Sequence, residues 1–332
     1  MNKRFFQITV SLFVLLVFFM AGQVFAAPRR LQLAHQQSEL HNYHYGAVQF
    51  ANLLKEYTNG ELEVDLFPGG VMGRDTAMAE SVAMGTLDFA SLFSIILEPH
   101  AWEFGVLTLP FCFSSWDHAF KVLDGPIGDE LRAAIEPKNI KVLDFWTNGL
   151  AEINSNAEIR IPADIKGKKF RIQEGPSYTA ISHALSSVST PMSIGEVYSA
   201  LQLGTIDVQL QTVNNMYFNK HQEVAPFFTP IGMCHNTQPL IMSMQTWNSL
   251  SKEHQDAVIR ASREAAIRQR LYHQEDTIKC LNNILTEEGD KFKLIELSPE
   301  EKQQWRDAVA EVYENPQFLR LMDTFKRIQA EK

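Results

Sequence analysis

Cysteine is scarce in this chain of 332 residues, which contains Cys112, Cys234 and Cys280 and no others. Because the three lie far apart in the sequence, they do not form the closely spaced pattern of a disulfide framework. Two interpretations stay open: one disulfide between two of them in an oxidising compartment, or three small buried side chains. In either case the sequence does not predict a disulfide-rich scaffold.

Catalytic motifs are also lacking. The chain contains no Gly-x-Ser-x-Gly elbow, no Walker loop and no His-Glu-x-x-His pair. Gly69, Gly70 and Gly73 have the wrong spacing for a dinucleotide-binding loop. No Ser/His/Asp set can be singled out, since such residues are brought together only by folding. We therefore expect a protein that is not an enzyme and that uses no cofactor.

Histidine provides the best candidate for a metal site, because His35, His41 and His44 lie in a loop and at a predicted helix start. Imidazoles three residues apart can share one face of a helix and so share a metal ion. However, no cluster of cysteines or carboxylates completes a ligand set. The sequence favours ordinary surface histidines, and we expect no metal ion.

Positive charge is in deficit, with 30 Lys and Arg residues against 39 Asp and Glu residues and a net charge of −9. Loss of Lys3 and Arg4 with an amino-terminal leader would lower the net charge to −11. This balance argues against nucleic acids and anionic membrane surfaces as partners. It does not exclude an acidic small molecule, because one local arginine can outweigh a diffuse field.

A long apolar run occurs once, over residues 5–20, after two basic residues. Small residues that end at Ala26 provide a cleavage site, so residues 1–26 are predicted to be a secretory signal peptide and the mature chain to begin near Ala27. The alternative is an uncleaved membrane anchor, but the run is short for a full span and contains Gln7. We expect a mature periplasmic protein that does not insert into the membrane.

The mature chain alternates between strand-like and helix-like patterns, which indicates an α/β fold. Residues 31–34 are predicted to form a first strand, and the following helix ends at residues 58–60, where a glycine supplies a left-handed stop. Residues 62–67 alternate apolar and acidic side chains, as a half-buried strand does. Two capping boxes fix further helix starts: Ser193 with Glu196, and Ser298 with Glu301.

A short internal repeat suggests two lobes that are built alike. Residues 80–89 have the pattern of a helix end, a glycine stop and a short strand, and residues 199–208 repeat this order. Both contain Gly-Thr-(Leu or Ile)-Asp, and each lies downstream of a strand–loop segment, at residues 62–70 and 169–176. No linker or low-complexity tract separates the two copies. This favours lobes that are joined by several crossings of the chain.

The pattern from residue 251 to about residue 288 is helical, without Pro or Gly, and Gly289 follows. At 1.5 Å per residue such a helix spans roughly 55 Å, which exceeds one lobe of ordinary size. We expect it to cross both lobes and brace them. The alternative is two helices with an unmarked break between them.

Arg171 is the strongest candidate for a binding residue. It lies in a predicted strand between apolar Phe170 and Ile172, so alternation places it on the opposite face from both. A loop follows, and a planar guanidinium there can present several donors to a carboxylate. The alternative is a solvated arginine in the basic run of residues 166–169.

Trp146 and Asn148 form a second candidate, since they follow residues 142–145 at a predicted strand end. Open α/β sheets place their ligands at such ends. For Trp146, packing between the lobes is the alternative. The aromatic residues that precede this strand, from residue 104 to residue 120, are expected to belong to the core.

Several stretches in a fixed order carry a resemblance that covers residues 31–312, nearly the whole mature chain. They are residues 57–60, 62–68, 84–88, 109–111, 164–171, 190–192, 195–202 and 247–253. The most specific are Asp164-Ile-Lys-Gly-Lys-Lys-Phe-Arg171 and Gly195-Glu-Val-Tyr-Ser-Ala-Leu-Gln202. Together they resemble the periplasmic solute-binding subunits of TRAP transporters (tripartite ATP-independent periplasmic transporters), the DctP family.

The resemblance implies a type II-like periplasmic binding protein, in which two α/β lobes are joined by a long helix and close on an organic acid. Lobe I is expected to comprise residues 27–148 and 237–276. Lobe II is expected to comprise residues 149–236 and 277–332. The closed form would dock on the small and large membrane subunits, which the family implies use a sodium gradient.

The resemblance also implies roles for single residues. Arg171 matches the arginine that pairs with the ligand carboxylate in this family, and Gln211 falls on the family's usual asparagine. Gln36 and Asp75 fall where other members contact the far end of the ligand. Asn215 belongs to the loop of residues 211–216, which is expected to shape the pocket.

Three departures from the family pattern make the predicted pocket less polar. Ala151 replaces a second arginine of some members, Ile194 replaces a frequent aromatic residue, and Phe93 replaces a polar contact of sugar-acid binders. We therefore expect a monocarboxylate with an apolar or modestly polar remainder. A binding protein for another transporter or a sensor kinase is the alternative function. A secreted enzyme would need a catalytic constellation that the sequence does not contain.

Overall fold

The computed structural model describes residues 27–331, so the predicted signal peptide lies outside the described residues. Within this range every helix is too short or too polar to cross a membrane. The strands are β1 (Arg29–Ala34), β2 (Leu62–Phe67), β3 (Phe89–Ser91), β4 (Ile140–Ser155), β5 (Lys169–Ile172), β6 (Val188–Pro191), β7 (Val208–Gln211), β8 (Phe227–Ser243) and β9 (Lys293–Leu294).

The α-helices lie between and after these strands. They are α1 (Asn42–Tyr57), α2 (Asp75–Met84), α3 (Trp116–Leu123), α4 (Pro126–Ile135), α5 (Pro176–Ala184), α6 (Ile194–Gln202), α7 (Val213–Phe218), α8 (Met244–Asn248), α9 (Lys252–Glu288), α10 (Pro299–Ala308), α11 (Glu311–Glu314) and α12 (Met322–Ala330). Short 3₁₀ segments connect several of them. The predicted capping boxes at Ser193 and Ser298 mark the starts of α6 and α10, as expected.

One mixed sheet runs through both halves of the described molecule, in the order β2-β1-β3-β8-β4-β7-β5-β6, with β9 beside β8. In one half β1 pairs in parallel with β2 and β3, and in the other β5 pairs in parallel with β6 and β7. The long antiparallel strands β4 and β8 lie between these halves and belong to both. The two-lobed α/β architecture is therefore confirmed.

The internal repeat corresponds to a repeated structural feature. Gly85 ends α2 in the left-handed conformation, and Asp88 then accepts a hydrogen bond from the Gln32 backbone N–H at 2.9 Å. In the second half, Asp207 accepts one from the Lys169 N–H at 2.9 Å. Each aspartate thus fixes the central strand of its own half. In the structure the counterpart of β5 is β1. The sequence repeat instead matched residues 169–176, which contain β5, with residues 62–70, which contain β2, so that match is shifted by one strand.

Helix α9 is one continuous helix of 37 residues, as predicted. Its amino-terminal half packs Val258, Ala261 and Ala265 into the core of the first lobe. Near its other end Ile284 packs with Phe228 and other residues of the second lobe. The expectation that this helix braces both lobes is confirmed.

Strand β4 differs from its prediction. It runs for 16 residues through the middle of the sheet, so Trp146 and Asn148 lie inside it rather than at its end. Its register against β8 shifts between Val142 and Asp144 and again between Thr147 and Leu150. Such bulges bend a strand and let it continue from one lobe into the other. The predicted strand end was therefore wrong.

The scarce cysteines and the histidine group have clear places. Cys112, Cys234 and Cys280 are free and buried, which confirms the interpretation as three small buried side chains.

The surface interpretation of the histidines is wrong for two of them, since His35 and His41 are buried. His41 caps α1 and also hydrogen-bonds Asn215 in the second half of the molecule. Within residues 27–331, no group of three His, Cys, Asp or Glu side chains is placed to hold a metal ion.

The lobe limits proposed from the sequence fall inside three long elements. Residue 148 lies in β4, residue 236 in β8 and residue 276 in α9. The chain therefore passes between the lobes within regular secondary structure and not in loops. The exact limits stay a prediction.

Candidate functional site

A cavity of about 50 Å³ lies where the two lobes face each other. The first lobe contributes the loop after β1, the start of α2 and the segment after β3, while the second contributes the end of β5 and the start of α6. The lining residues are Gln36, Gln37, Tyr43, Arg74, Asp75, Thr76, Phe93, Ile96, Arg171, Gln173, Glu174, Met192, Ser193 and Ile194.

Arg171 is the fixed cation of this cavity, and only 2% of its surface is exposed. Its Nε and Nη2 atoms donate to the Met192 carbonyl oxygen at 3.2 and 2.9 Å. The Nη1 atom is buried and has no hydrogen-bond partner in the described part of the chain. Burial lowers the pKa of Arg171 to about 10, so the side chain stays charged near neutral pH. Nε and Nη2 thus hold the guanidinium still, while Nη1 of this cavity-lining residue keeps its donors unused within residues 27–331. The solvated-arginine interpretation is wrong.

The opposite wall belongs to the first lobe and combines one acid, one hydroxyl and one aromatic ring. Burial raises the pKa of Asp75, at the start of α2, to about 7. The Tyr43 hydroxyl is buried without a hydrogen-bond partner, and its pKa is raised by burial and by the charge of Asp75. Phe93 stands edge-on to the Tyr43 ring, with 6.1 Å between ring centroids. This wall is therefore polar at one point and apolar beside it.

Polar contacts join the lobes around the rim of the cavity. Arg74 donates to Glu196 at 2.9 Å and lies 3.7 Å from Glu174. Ser193 donates to the Gln36 side-chain oxygen at 3.4 Å. Arg74 and both carboxylates are about half exposed, so each ion pair contributes little to stability by itself. They nevertheless close the cavity on the solvent side.

Five residues proposed from the sequence meet in this cavity. They are Gln36, Asp75, Phe93, Arg171 and Ile194. Only the family resemblance could predict that these side chains come together, because they lie on five separate segments of the chain. Ala151 is fully buried in the core, so no side chain reaches the cavity from that position.

The other four proposed residues do not line this cavity. Trp146 is fully buried in the core of the first lobe, where it packs against Gly46 of α1. Asn148 is fully buried, and neither atom of its amide group has a hydrogen-bond partner within the described residues. These two side chains are enclosed by the sheet and its covering helices.

Gln211 and Asn215 belong to a buried hydrogen-bond network behind the cavity. Asn215 donates to the Gln211 side-chain oxygen at 2.8 Å and accepts from His41 at 2.8 Å. Gln211 also accepts from the Thr212 N–H at 3.0 Å. Because His41 belongs to the first lobe and Asn215 to the second, this network ties the lobes together.

Sequence reasoning missed Tyr43 and Gln173. Tyr43 begins α1 within an apolar pattern that looks like core, and its ring does pack there. Gln173 follows Arg171 by two residues, so strand alternation could have placed both side chains on one face.

Three comparisons with known proteins bear on this site. The family model for bacterial extracellular solute-binding proteins, family 7 (DctP), matches residues 33–318. The 2,3-diketo-L-gulonate-binding periplasmic protein of Escherichia coli K12 is 33% identical over 259 residues, which cover 78% of this chain and 79% of that protein. The C4-dicarboxylate-binding periplasmic protein of Rhodobacter capsulatus is 28% identical over 270 residues, with 81% and 80% covered.

Solved structures show the same architecture. A TRAP solute-binding protein of Sulfurospirillum deleyianum with bound succinate superimposes with a TM-score of 0.86 at 30% identity, covering 92% of this chain and 100% of that one. One from Roseobacter denitrificans with bound β-D-glucuronate also has a TM-score of 0.86, at 26% identity, with the same coverage.

Proposed function

Because the chain belongs to the DctP family of TRAP periplasmic solute-binding proteins, we propose that it captures a monocarboxylate between its lobes and delivers it to TRAP membrane subunits. Residues 1–26 would direct export and be removed near Ala27. Relatives named for a sugar acid and for C4-dicarboxylates make these two classes the competing ligands.

Arg171 carries this proposal. A buried cation without an anionic partner is costly, and the described residues form no ion pair with it. A ligand carboxylate would accept hydrogen bonds from the free Nη1 and would supply the missing charge. The Met192 carbonyl fixes the guanidinium plane beforehand, so the ligand does not have to order it.

The remainder of the cavity favours one carboxylate over two. Phe93, Ile96, Met192 and Ile194 give it apolar walls. Asp75 lines the first-lobe wall with a pKa raised by burial to about 7, so its ionised fraction, which grows above that pH, would repel a second carboxylate.

Capture follows from linkage between binding and closure. A ligand that contacts both Arg171 and the Asp75 wall binds the closed form more tightly than the open form, and so shifts the population toward closure. The rim contacts of Arg74 and Ser193 form in the same movement. The closed shape is then the one that the membrane subunits would recognise.

The ligand class can be tested with a thermal-shift screen of residues 27–332 against monocarboxylates, dicarboxylates and sugar acids. A ligand at 100 times its dissociation constant should add about 2.7 kcal/mol of stability. Stabilisation by short monocarboxylates would support the proposal. Stabilisation only by dicarboxylates would contradict the monocarboxylate assignment. Stabilisation only by sugar acids, which also carry one carboxylate, would contradict the apolar or modestly polar remainder, and stabilisation only by uncharged compounds would show that the ligand carries no carboxylate.

Gly175→Ala should weaken ligand binding by hindering closure. Gly175 lies in the second lobe, and a Cβ there would come within 2.3 Å of Ile95 Cγ1 in the first lobe. Its backbone is extended, with φ at 172°, so alanine itself causes no strain. Overpacking of this kind costs about 1–3 kcal/mol, or roughly 5- to 150-fold in affinity. Isothermal titration with the best ligand of the screen measures the loss.

Two further variants separate a closure effect from a general one. Ile95→Ala in the Gly175→Ala background should restore much of the affinity, because it removes the atoms that collide. Gly195→Ala is the matched control, since a Cβ at that position meets nothing within 4 Å. Equal losses in Gly175→Ala and Gly195→Ala would show that the contact does not govern closure.

A further inference from the structure

A donor and an acceptor stand side by side on the second-lobe wall of the cavity. Arg171 lies in β5 and Gln173 directly follows the last residue of that strand, and both side chains line the cavity. Ile172 between them points into the core. Arg171 Nη1 and Gln173 Oε1 are both buried, and neither has a hydrogen-bond partner in the described part of the chain. The site therefore lacks an acceptor for Arg171 Nη1 and a donor for Gln173 Oε1.

A carboxylate can satisfy only the first of these atoms. It accepts from Arg171 but has no hydrogen to offer the Gln173 carbonyl oxygen. If Gln173 Oε1 stays buried and unpaired, the complex loses the free energy of solvating that oxygen. With the Gln173 amide in this orientation, a ligand that carries a hydrogen-bond donor beside its carboxylate satisfies both atoms.

A neutral hydroxyl on the carbon next to the carboxylate meets this requirement. A 2-oxo group offers a second acceptor and leaves Gln173 Oε1 unpaired. A 2-ammonium group would donate, but it would place a second positive charge beside the buried Arg171 guanidinium. A hydroxyl donates without adding charge, and it adds only one heavy atom to a cavity of about 50 Å³.

We propose that the cavity selects 2-hydroxy monocarboxylates, with the carboxylate on Arg171 and the 2-hydroxyl donating to Gln173 Oε1. This rests on the proposed function, because it assumes that Arg171 holds a carboxylate. Gln173 is then the residue that determines specificity. The Tyr43 hydroxyl, unpartnered on the facing wall, can donate to the second carboxylate oxygen or accept from the ligand.

Two matched pairs of acids test the inference: lactate against propionate, and 2-hydroxybutyrate against butyrate. Within each pair the members differ only in the hydroxyl. Isothermal titration of residues 27–332 should show the hydroxy acid binding about tenfold or more tightly, the size of effect expected when a buried acceptor gains or loses its partner. Gln173→Leu should reduce this preference to less than about threefold. The same change at exposed Gln303, on α10, is the control and should leave the preference intact.

The outcomes separate this inference from the proposed function. Equal binding within both pairs would overturn the role of the hydroxyl and leave the monocarboxylate function standing. A preference that survives in Gln173→Leu would overturn the role of Gln173. Tighter binding of pyruvate or alanine than of lactate would overturn the neutral-donor argument. Binding of none of these acids, together with tight binding of a dicarboxylate, would overturn the proposed function as well.

Discussion

Arg171→Met is expected to lower the affinity for the organic acid by at least about 30-fold, because truncating one partner of a buried, charge-assisted pair costs about 2–5 kcal/mol. Methionine keeps the length of the side chain but has no donors. The Met192 carbonyl loses its partner too, so both the anchor and its support disappear. Isothermal titration with the ligand identified by the screen measures the loss.

The same variant should behave differently without ligand. Burial lowers the pKa of Arg171 to about 10, which means that the folded protein disfavours the charged form. Replacing the unpaired cation with an apolar side chain removes this penalty but leaves the Met192 carbonyl without its partner, so urea unfolding should show the ligand-free variant within about 1–2 kcal/mol of the wild type. Loss of binding with little change in stability is the signature of a residue that is kept for its ligand.

Two other substitutions complete this experiment. Arg171→Lys should also lose most of the affinity, since one ammonium cannot reproduce the planar fork that contacts Met192 and the ligand together. Lys166→Met, at an exposed position of the same basic run, should leave affinity unchanged. Weak binding in Lys166→Met would mean that the general positive field, and not Arg171, attracts the acid.

Arg270→Ala is expected to destabilise the protein by about 3–5 kcal/mol, because it breaks a buried ion pair and leaves a charge behind. Arg270 projects from α9, and its side chain is 7% exposed. It donates to Asp124 at 2.8 Å and to Asp144 at 3.1 Å, and its Nε donates to the Phe145 carbonyl at 2.9 Å. The Phe120 ring lies 4.3 Å from the guanidinium carbon.

Asp144 explains why the loss should be large. Its side chain is 3% exposed, and burial raises its pKa while the charge of Arg270 is the largest influence in the opposite direction. Without Arg270, Asp144 keeps the more distant Arg263 at 3.5 Å and Arg132 at 3.9 Å, which partly compensate its charge. The loss should therefore lie near the lower end of the range of about 3–5 kcal/mol. Urea unfolding followed by circular dichroism gives the free energy of unfolding of each variant.

Arg268→Ala is the matched control on the same helix. Arg268 is 45% exposed and pairs with Glu264 one turn earlier. Exposed pairs with this spacing contribute about 0.3–0.5 kcal/mol. A loss of comparable size in both variants would mean that helix propensity, rather than the buried ion cluster, determines how α9 is held.

Local signals in the sequence predicted much of the fold. The glycine stops after α1 and α2, the alternation of β2 and the serine caps each depend on a few neighbouring residues, and the structure agrees with them. The continuity of α9 was also readable, because no Pro or Gly interrupts it. Such features depend on the conformational preferences of a few neighbouring residues, so the sequence shows them directly.

Other features depend on partners far away in the chain. The length of β4 could not be predicted, since its bulges against β8 determine where it continues. His41 looked like a surface residue because its partner, Asn215, lies 174 positions away. Tyr43 looked like core, because its ring is apolar and only the absence of a partner for its hydroxyl marks it out. Arg171 was found because strand alternation and the family resemblance both pointed to it.

The three crossings between the lobes also limit how the protein searches for its closed form. Two long strands and one 37-residue helix connect the lobes, so one lobe cannot rotate freely about the other as it could on a single flexible tether. Opening becomes a bend of the shared sheet, concentrated at the bulges of β4. Ligand-free molecules therefore sample few relative orientations, and little orientational entropy is lost when the lobes meet. Each cycle of capture and release returns Arg171 and Asp75 to the same facing positions.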